Sequence, residues 1–169
     1  IHHLDVLNWL FGPIKKVNSI ITNRANRLEA EDTMVSVIKL NNGALGTLEA
    51  TTAARPKDLH ASLSVVGTKG TAIIGGIALN KIKLWNIIGQ NKKISKNIIR
   101  KYSQNVPNGY GLSHINFLNL CLNNLRSKKK VAPVNAIDAI NTQAVVQSIY
   151  KSDETKKWVK VSKNVKSKK

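Results

Sequence analysis

The fold is decided by one stretch of the sequence, Asp32-Thr33-Met34-Val35-Ser36-Val37-Ile38-Lys39-Leu40-Asn41-Asn42-Gly43-Ala44-Leu45-Gly46-Thr47-Leu48-Glu49-Ala50-Thr51. Residues 33–40 alternate in the manner of a half-buried strand, and residues 44–52 return as its partner. Asn42-Gly43 between them is a strong hairpin signal, because both residue types tolerate positive φ. The stretch therefore predicts an antiparallel hairpin.

Similar patterns continue on both sides of this hairpin. Further strands are predicted at 17–22, 59–66, 71–74, 82–85 and 158–161, with tight turns at 67–70 and 75–80. Apolar residues at helical spacing predict helices at the start of the chain, over 113–127 and over 134–150, and the polar segment 89–107 is predicted to be a long loop. The expected fold class is α+β: an open-faced, mostly antiparallel sheet of six to eight strands with helices packed on one face.

One face of the expected sheet carries small polar side chains. Its members are Thr47, Glu49, Thr51, Ser62 and Ser64. Three helices are too few to cover both faces, so this face is either solvated or an interface. Its low charge favours an interface with another domain or with a second copy of the chain.

Composition excludes several function classes. The net charge is +18, but 22 of the 27 basic residues are Lys and only 5% of residues are aromatic, whereas a nucleic-acid site favours Arg with interleaved aromatics. We therefore expect no specific nucleic-acid partner. No apolar run is long enough to span a membrane and no signal-peptide pattern is present, so a cytoplasmic location without a membrane partner is expected.

The lone cysteine, Cys121, excludes an intramolecular disulfide framework and a cysteine-based zinc site, and no metal site is predicted. Its apolar neighbours on the predicted helix indicate a small buried side chain rather than a catalytic thiol.

The first helix opens with a candidate proton-transfer pair. His2 and Asp5 lie three residues apart, so they share one face of a helix. Imidazole titrates near neutrality, and a neighbouring carboxylate can fix its tautomer. The alternative is that His2 and His3 are a frayed end or the remainder of a tag.

Several motifs in order resemble the C-terminal domain of the Gfo/Idh/MocA oxidoreductases, the family of glucose-fructose oxidoreductase and inositol dehydrogenase. The motifs are Ile1-His2-His3-Leu4-Asp5 with Trp9-Leu10 and Gly12, Glu31-Asp32-Thr33, Asn42 to Thr51, Arg55-Pro56, Gly67-Thr68-Lys69-Gly70 and Tyr150-Lys151-Ser152. The double histidine and Thr52-Ala53-Ala54-Arg55-Pro56 are most similar to the branch that acts on nucleotide-linked sugars, of the UDP-N-acetylglucosamine type.

The resemblance implies a substrate-binding and oligomerisation domain over residues 1–162, followed by a basic, disordered tail at 163–169. The family's N-terminal Rossmann domain is absent from this sequence, which contains neither Gly-x-Gly-x-x-Gly nor the Glu-Lys-Pro segment with the family's catalytic lysine. The intact family enzyme uses NAD or NADP. We expect neither cofactor to bind this chain alone.

The resemblance also assigns roles to individual residues. His2 matches the family's catalytic base, and Asp5 matches an aspartate that orients the helix or the histidine. His3, Arg55, Tyr110 and His114 match the substrate side. Ser113 replaces a glycine that is common in relatives, and the alternative for His114 is therefore an ordinary capped helix residue.

Two hypotheses follow. In the first, the chain is part of an NAD(P)-dependent sugar or nucleotide-sugar oxidoreductase, inactive alone, that self-associates through the open sheet face and works with a Rossmann domain, in the same or a separate polypeptide. In the second, it is a non-enzymatic remnant or stand-alone self-associating module. An in-frame Rossmann coding segment upstream would favour the first hypothesis, and a stop codon or frameshift the second.

Overall fold

The computed structural model describes residues 1–57, 59, 61–127, 132–134 and 136–162. In chain order the elements are α1 (His2–Phe11), β1 (Ile14–Thr22), β2 (Thr33–Leu40), β3 (Leu45–Thr51), β4 (Ala61–Gly67), β5 (Gly70–Gly76), β6 (Lys81–Ile87), α2 (Lys92–Tyr102), α3 (Ser113–Arg126), α4 (Ala136–Thr155) and β7 (Val159–Lys160). The fold is α+β, as the sequence predicts. The tail predicted at 163–169 lies outside the described residues.

The chain divides into two compact units, and the first combines residues 1–57 with the described residues from 134 to 162. Its four strands form an antiparallel sheet in the order β3-β2-β1-β7. Helix α4 packs against β1, and α1 packs against α4. Both helices therefore belong to the unit that also contains the hairpin.

The core of this unit lies between α4 and one face of the sheet. Val17 and Ile38 are fully buried there, and Leu4 from α1 and Val145 from α4 complete it with Ile14, Leu40 and Ile149. Burial of one such side chain contributes about 1.5–3 kcal/mol. The period-two pattern of the strands selects which face receives the helices.

Buried hydroxyl groups fasten α4 to the sheet. Ser152 Oγ accepts the backbone N–H of Ser19 at 3.0 Å and donates to the carbonyl oxygen of Lys157 at 2.7 Å. Ser19 Oγ lies 2.7 Å from Ser36 Oγ. Asp153 accepts the N–H of Ile21 at 3.0 Å, and its ion pair with Lys156 and this N–H lower the pKa of Asp153. These polar groups have hydrogen-bond partners. The hydrogen bonds fix the position of α4 on the sheet, in addition to the burial of its apolar side chains.

The opposite face of the four-stranded sheet is open. Thr47, Glu49 and Thr51 are exposed along β3, as predicted. The same face also carries apolar side chains that were not predicted there: Ile20 is 70% exposed, Val35 47% and Val37 44%. Cross-strand pairing places Val35 opposite Glu49 and Val37 opposite Thr47. The face is therefore more apolar than predicted.

The predicted hairpin turn is present, but Asn42 contributes to it through side-chain hydrogen bonds rather than through a positive φ. Gly43 has φ +94° and donates its N–H to the carbonyl oxygen of Leu40 at 3.1 Å, whereas Asn42 does not have positive φ. Asn42 accepts the N–H of Ala44 and donates its side-chain amide to the carbonyl oxygen of Phe11, both at 3.0 Å. The turn thus holds the end of α1.

The second unit comprises residues 58–133, of which 59, 61–127 and 132–133 are described. Its strands form a three-stranded antiparallel sheet in the order β4-β5-β6. The seven described strands agree with the expected number, but they form two sheets rather than one, because β3 pairs with β2 and β4 pairs with β5. Ser62 and Ser64 are exposed on β4, in the second sheet.

The prediction of a long loop over 89–107 is wrong for its central part, which is α2. Asn91 caps this helix by accepting the N–H of Lys93 at 2.8 Å, and Ile98 and Ile99 are partly buried where α2 packs against β6. The lysines that suggested a solvated loop are good helix formers and occupy the exposed side. Their abundance concealed the helical spacing of the isoleucines.

Helix α3 is present where it was predicted, but Cys121 is partly exposed rather than buried. No residue of α3 is buried, and Phe117 and Leu118, which neighbour Cys121 on this helix, are 45% and 59% exposed. Ser113 is the first helical residue, and Leu112 occupies the N-cap position without a side-chain cap.

Candidate functional site

The first turn of α1 presents the two histidines and the aspartate. Ile1 is the N-cap without a side-chain cap, and the N–H of Asp5 donates to the carbonyl oxygen of Ile1 at 3.1 Å. His2, His3 and Asp5 are all exposed, and an acidic residue at this position is favoured by the helix dipole. The side chains of this turn thus face solvent in the described structure.

Asp5 is held by a residue from the other end of the chain. Thr142 Oγ1, on α4, donates to Asp5 Oδ1 at 2.8 Å, and Thr142 is 2% exposed. Among the described residues no hydrogen bond joins Asp5 to His2. The contact between Thr142 and Asp5 therefore fixes α1 on α4.

His3 has a perturbed titration. Partial desolvation of the imidazole lowers its pKa, and the neighbouring His2 lowers it further. His3 is therefore neutral at pH 7, where a neutral imidazole can both donate and accept a hydrogen bond.

Arg55, after β3, is fixed by oxygen acceptors. Its guanidinium donates to Asn26 Oδ1 at 2.6 Å and to the carbonyl oxygens of Ala54 and Thr52 at 2.8 and 3.3 Å. Arg55 is exposed, so N–H groups that these acceptors do not use face solvent. This arrangement suits an anionic group of a ligand.

The loop that carries Asn26 is built around Asp32, which is 3% exposed. Asp32 Oδ2 accepts the backbone N–H groups of Asn26, Ala25 and Arg24 at 2.8, 2.6 and 2.9 Å. These hydrogen bonds, that of Asn26 first, lower the pKa of Asp32. Sequence reasoning missed Asn26, and it assigns no role to the Glu31-Asp32-Thr33 motif.

Glu31 beside this loop receives a hydrogen bond from α4. Tyr150 Oη donates to Glu31 Oε1 at 2.6 Å, and this bond, burial and the Glu31 charge raise the pKa of Tyr150. The Tyr150 motif thus supports the loop that leads to Asn26 and Arg55.

Tyr110 and His114 lie in the second unit, at the start of α3. Their ring centroids are 6.1 Å apart with an interplanar angle of 64°, an edge-to-face contact, and Tyr110 is 78% exposed. Gly111 between them has φ +67°, and the N–H of Tyr110 donates to Asn108 Oδ1 at 3.1 Å. The structure brings these two predicted residues together.

The six predicted residues thus form three groups: the α1 turn with His2, His3 and Asp5, the anchored Arg55, and the Tyr110–His114 pair. Within the described part of the first unit, no hydrogen bond or ion pair joins the α1 turn to Arg55. No three His, Cys, Asp or Glu side chains of the described part lie together as a metal site would require. None of its helices is both long and apolar enough to cross a membrane.

Comparisons with known proteins identify the fold. Residues 1–161 match the family model for the C-terminal alpha/beta domain of the Gfo/Idh/MocA oxidoreductase family. A search of curated proteins found no match.

Among solved structures, the WlbA dehydrogenase from Bordetella pertussis, in complex with NADH and UDP-GlcNAcA, is 27% identical with a TM-score of 0.82 over 95% of this chain and 46% of that chain. WlbA from Chromobacterium violaceum, with the same ligands, is 25% identical with a TM-score of 0.81 over 97% of this chain and 45% of that chain. A levoglucosan dehydrogenase bound to NADH and levoglucosan is 17% identical with a TM-score of 0.72, over 95% of this chain and 48% of that chain, and shows a shared fold alone. The chain spans less than half the length of each of these proteins.

Proposed function

Since the chain belongs to the Gfo/Idh/MocA oxidoreductase family, as a C-terminal α/β domain, we propose that it is the substrate-binding and self-associating part of an NAD(P)-dependent sugar or nucleotide-sugar oxidoreductase and is inactive alone. The observation that carries this proposal is the accessible first turn of α1, where His2 and Asp5 stand on a helix fixed by Thr142. It is supported by the 25–27% identity to two dehydrogenases bound to NADH and UDP-GlcNAcA.

In the proposed reaction His2 is the general base. It accepts the proton of the substrate hydroxyl while a hydride leaves the carbon that carries this hydroxyl, so the alcohol becomes a carbonyl. A nicotinamide cofactor, bound by a dinucleotide-binding domain, would supply the hydride acceptor. Asp5 acts as a positioning residue, because its contact with Thr142 fixes the turn from which His2 projects.

Substrate recognition is proposed for the remaining residues. Neutral His3 can hydrogen-bond a sugar hydroxyl, and Tyr110 with His114 offers an aromatic pair for a ring. The anchored guanidinium of Arg55 fits a phosphate or carboxylate, which favours nucleotide-linked sugars over neutral ones.

The test compares the chain alone with the same chain joined to a dinucleotide-binding domain of the family. Alone, the chain should not oxidise UDP-sugars, because the effects of removing members of one catalytic unit are strongly non-additive. It should also not bind NADH, as measured by nicotinamide fluorescence. In the joined protein His2→Ala should lower turnover by about 10²–10⁴-fold. Lys96→Ala, an exposed charge on α2, is the control. Micromolar NADH binding by the chain alone, or a joined enzyme indifferent to His2, contradicts the proposal.

Self-association is proposed through the open face of the four-stranded sheet. Ile20, Val35 and Val37 give this face an apolar centre, and a specific two-fold contact should bury about 1,200 Å² or more in total. Light scattering at micromolar concentration should show a dimer. Thr51→Lys should weaken it because a lysine on this face would lose its hydration in the contact, while Asn97→Lys on α2 should not. A monomeric wild-type chain would mean that the face is solvated.

A further inference from the structure

The sequence contains two Asn-Gly pairs, Asn42-Gly43 and Asn108-Gly109. This dipeptide is prone to spontaneous deamidation, because glycine has no side chain that hinders attack of its backbone nitrogen on the preceding side-chain amide. All four residues are exposed to solvent. The sequence therefore gives both pairs a similar reactivity, and only the folded structure distinguishes them.

The two asparagines share one hydrogen bond. Asn42 Oδ1 accepts the N–H of Ala44 at 3.0 Å, and Asn108 Oδ1 accepts the N–H of Tyr110 at 3.1 Å. In both pairs this bond joins the side-chain carbonyl to the backbone two residues further along the chain. It therefore restrains the two side chains in the same way and cannot make their reactivities differ.

The attacking nitrogen differs between the two pairs. Gly43 donates its N–H to the carbonyl oxygen of Leu40 at 3.1 Å, in the turn between β2 and β3. The N–H of Gly109 makes no hydrogen bond to any residue that the structure describes. Attack requires this nitrogen to lose its proton and to approach the side chain, so the hairpin turn protects Gly43 and leaves Gly109 as the reactive nitrogen.

The leaving amide group differs in the same direction. Asn42 donates its side-chain amide to the carbonyl oxygen of Phe11 at 3.0 Å. Within the described part of the chain, the side-chain amide of Asn108 donates to no partner, and the one bond of this side chain is that of its oxygen to Tyr110. Two additional hydrogen bonds that must break should slow the reaction at Asn42 by about tenfold or more.

We propose that Asn108 is a modification site at which the folded chain deamidates spontaneously. The Gly109 nitrogen forms a bond to Cγ of Asn108 while the bond from Cγ to Nδ2 breaks, and the Gly109 proton leaves with Nδ2 as ammonia. The product is a five-membered succinimide ring. Water then adds to either ring carbonyl and opens the ring, which leaves an aspartate or an isoaspartate at position 108.

The modification changes the loop that carries the Tyr110–His114 pair. The carbonyl oxygen of Asn108 accepts the N–H of Gly111 at 3.2 Å, and an isoaspartate lengthens the main chain within this turn by one carbon atom. Both products also add a negative charge to residues 58–133, where Asp58 is the only acidic residue in the sequence. Deamidation at Asn108 does not depend on the proposed function of the pair.

The experiment incubates the 169-residue chain at mildly alkaline pH and follows both Asn-Gly pairs by peptide mass spectrometry, with isoaspartyl methyltransferase labelling to detect isoaspartate. In the folded chain, Asn108 should convert about tenfold faster than Asn42. In urea the two rates should become similar, so the second pair is an internal control for intrinsic reactivity. Equal rates in the folded chain, a faster rate at Asn42, or a difference that persists in urea would overturn the proposal.

Two further measurements test the assigned atoms. Asn108→Gln should remove the fast conversion, because its longer side chain would have to close a less favourable six-membered ring, while Asn97→Gln on α2 should preserve it. Hydrogen exchange should show a protected amide at Gly43 and an unprotected amide at Gly109. Fast conversion that persists in Asn108→Gln, or equal protection of the two glycine amides, would contradict the assignment.

Discussion

The contact between Thr142 and Asp5 should contribute measurably to the stability of the first unit. Thr142→Val removes the hydroxyl with little change in side-chain shape, and Asp5→Ala removes its acceptor. The bond is 2.8 Å long, its donor is buried and its acceptor is a carboxylate, a class of hydrogen bond worth about 1.5–3 kcal/mol. Because Asp5 is exposed, water replaces part of the lost interaction, and we expect a coupling free energy of about 1 kcal/mol between the two positions.

A double-mutant cycle isolates this coupling. Asp5→Ala also removes a favourable interaction with the helix dipole, worth about 0.3–1 kcal/mol, but this contribution cancels in the cycle. Urea unfolding should be followed by fluorescence in a Trp85→Phe background, because the two remaining tryptophans, Trp9 and Trp158, both belong to the first unit. A coupling below about 0.3 kcal/mol, the usual error of additivity, would refute the view that Thr142 fixes the first turn of α1.

Three further predictions concern the loops and α2. Asp32 has a lowered pKa in the folded state, so its carboxylate stabilises the fold above its unfolded pKa of about 3.9 and this contribution is lost as pH falls through the folded value. The difference in unfolding free energy between wild type and Asp32→Asn should therefore be constant from pH 7 to 5 and shrink toward pH 3 in urea titrations; a difference that grows in acid would contradict the assignment. Asn26→Ala should speed rotation of the Arg55 guanidinium in NMR spectra, since it removes the 2.6 Å acceptor, whereas Asn97→Ala should not. Ile98→Asp should remove hydrogen-exchange protection over 92–102 because α2 loses its contact with β6, while Lys96→Asp should preserve it; equal protection in both would mean that α2 forms without that packing.

The elements predicted best are those whose signal is local. The β2–β3 hairpin follows from alternation within eight residues and from Asn42-Gly43, and both lie in one continuous stretch. Helix α2 was missed because its lysines match a solvated loop in composition, and only the spacing of Ile94, Ile98 and Ile99 distinguishes the two. Local sequence pattern therefore predicts an element well where the residue composition and the hydrophobic periodicity of a segment indicate the same structure.

The site residues show the limit of sequence reasoning. The spacing of His2 and Asp5 predicted a pair, but the observed partner of Asp5 is Thr142, 137 positions away. Arg55 was identified through the resemblance, yet the residue that holds it, Asn26, lies in an irregular loop with no periodic signal. Such relations arise only in the folded chain.

The first unit is discontinuous, since residues 1–57 need α4, which begins at Ala136, to bury Val17 and Ile38. During synthesis, strands β1–β3 are therefore made well before the helix that covers them, while every described element of the second unit has already been made. Contacts of such large sequence separation slow folding and leave apolar strand faces exposed meanwhile. A nascent chain that stops before Ala136 should present its hairpin to chaperones, and the late arrival of α4 should be the step that commits the first unit to its native state.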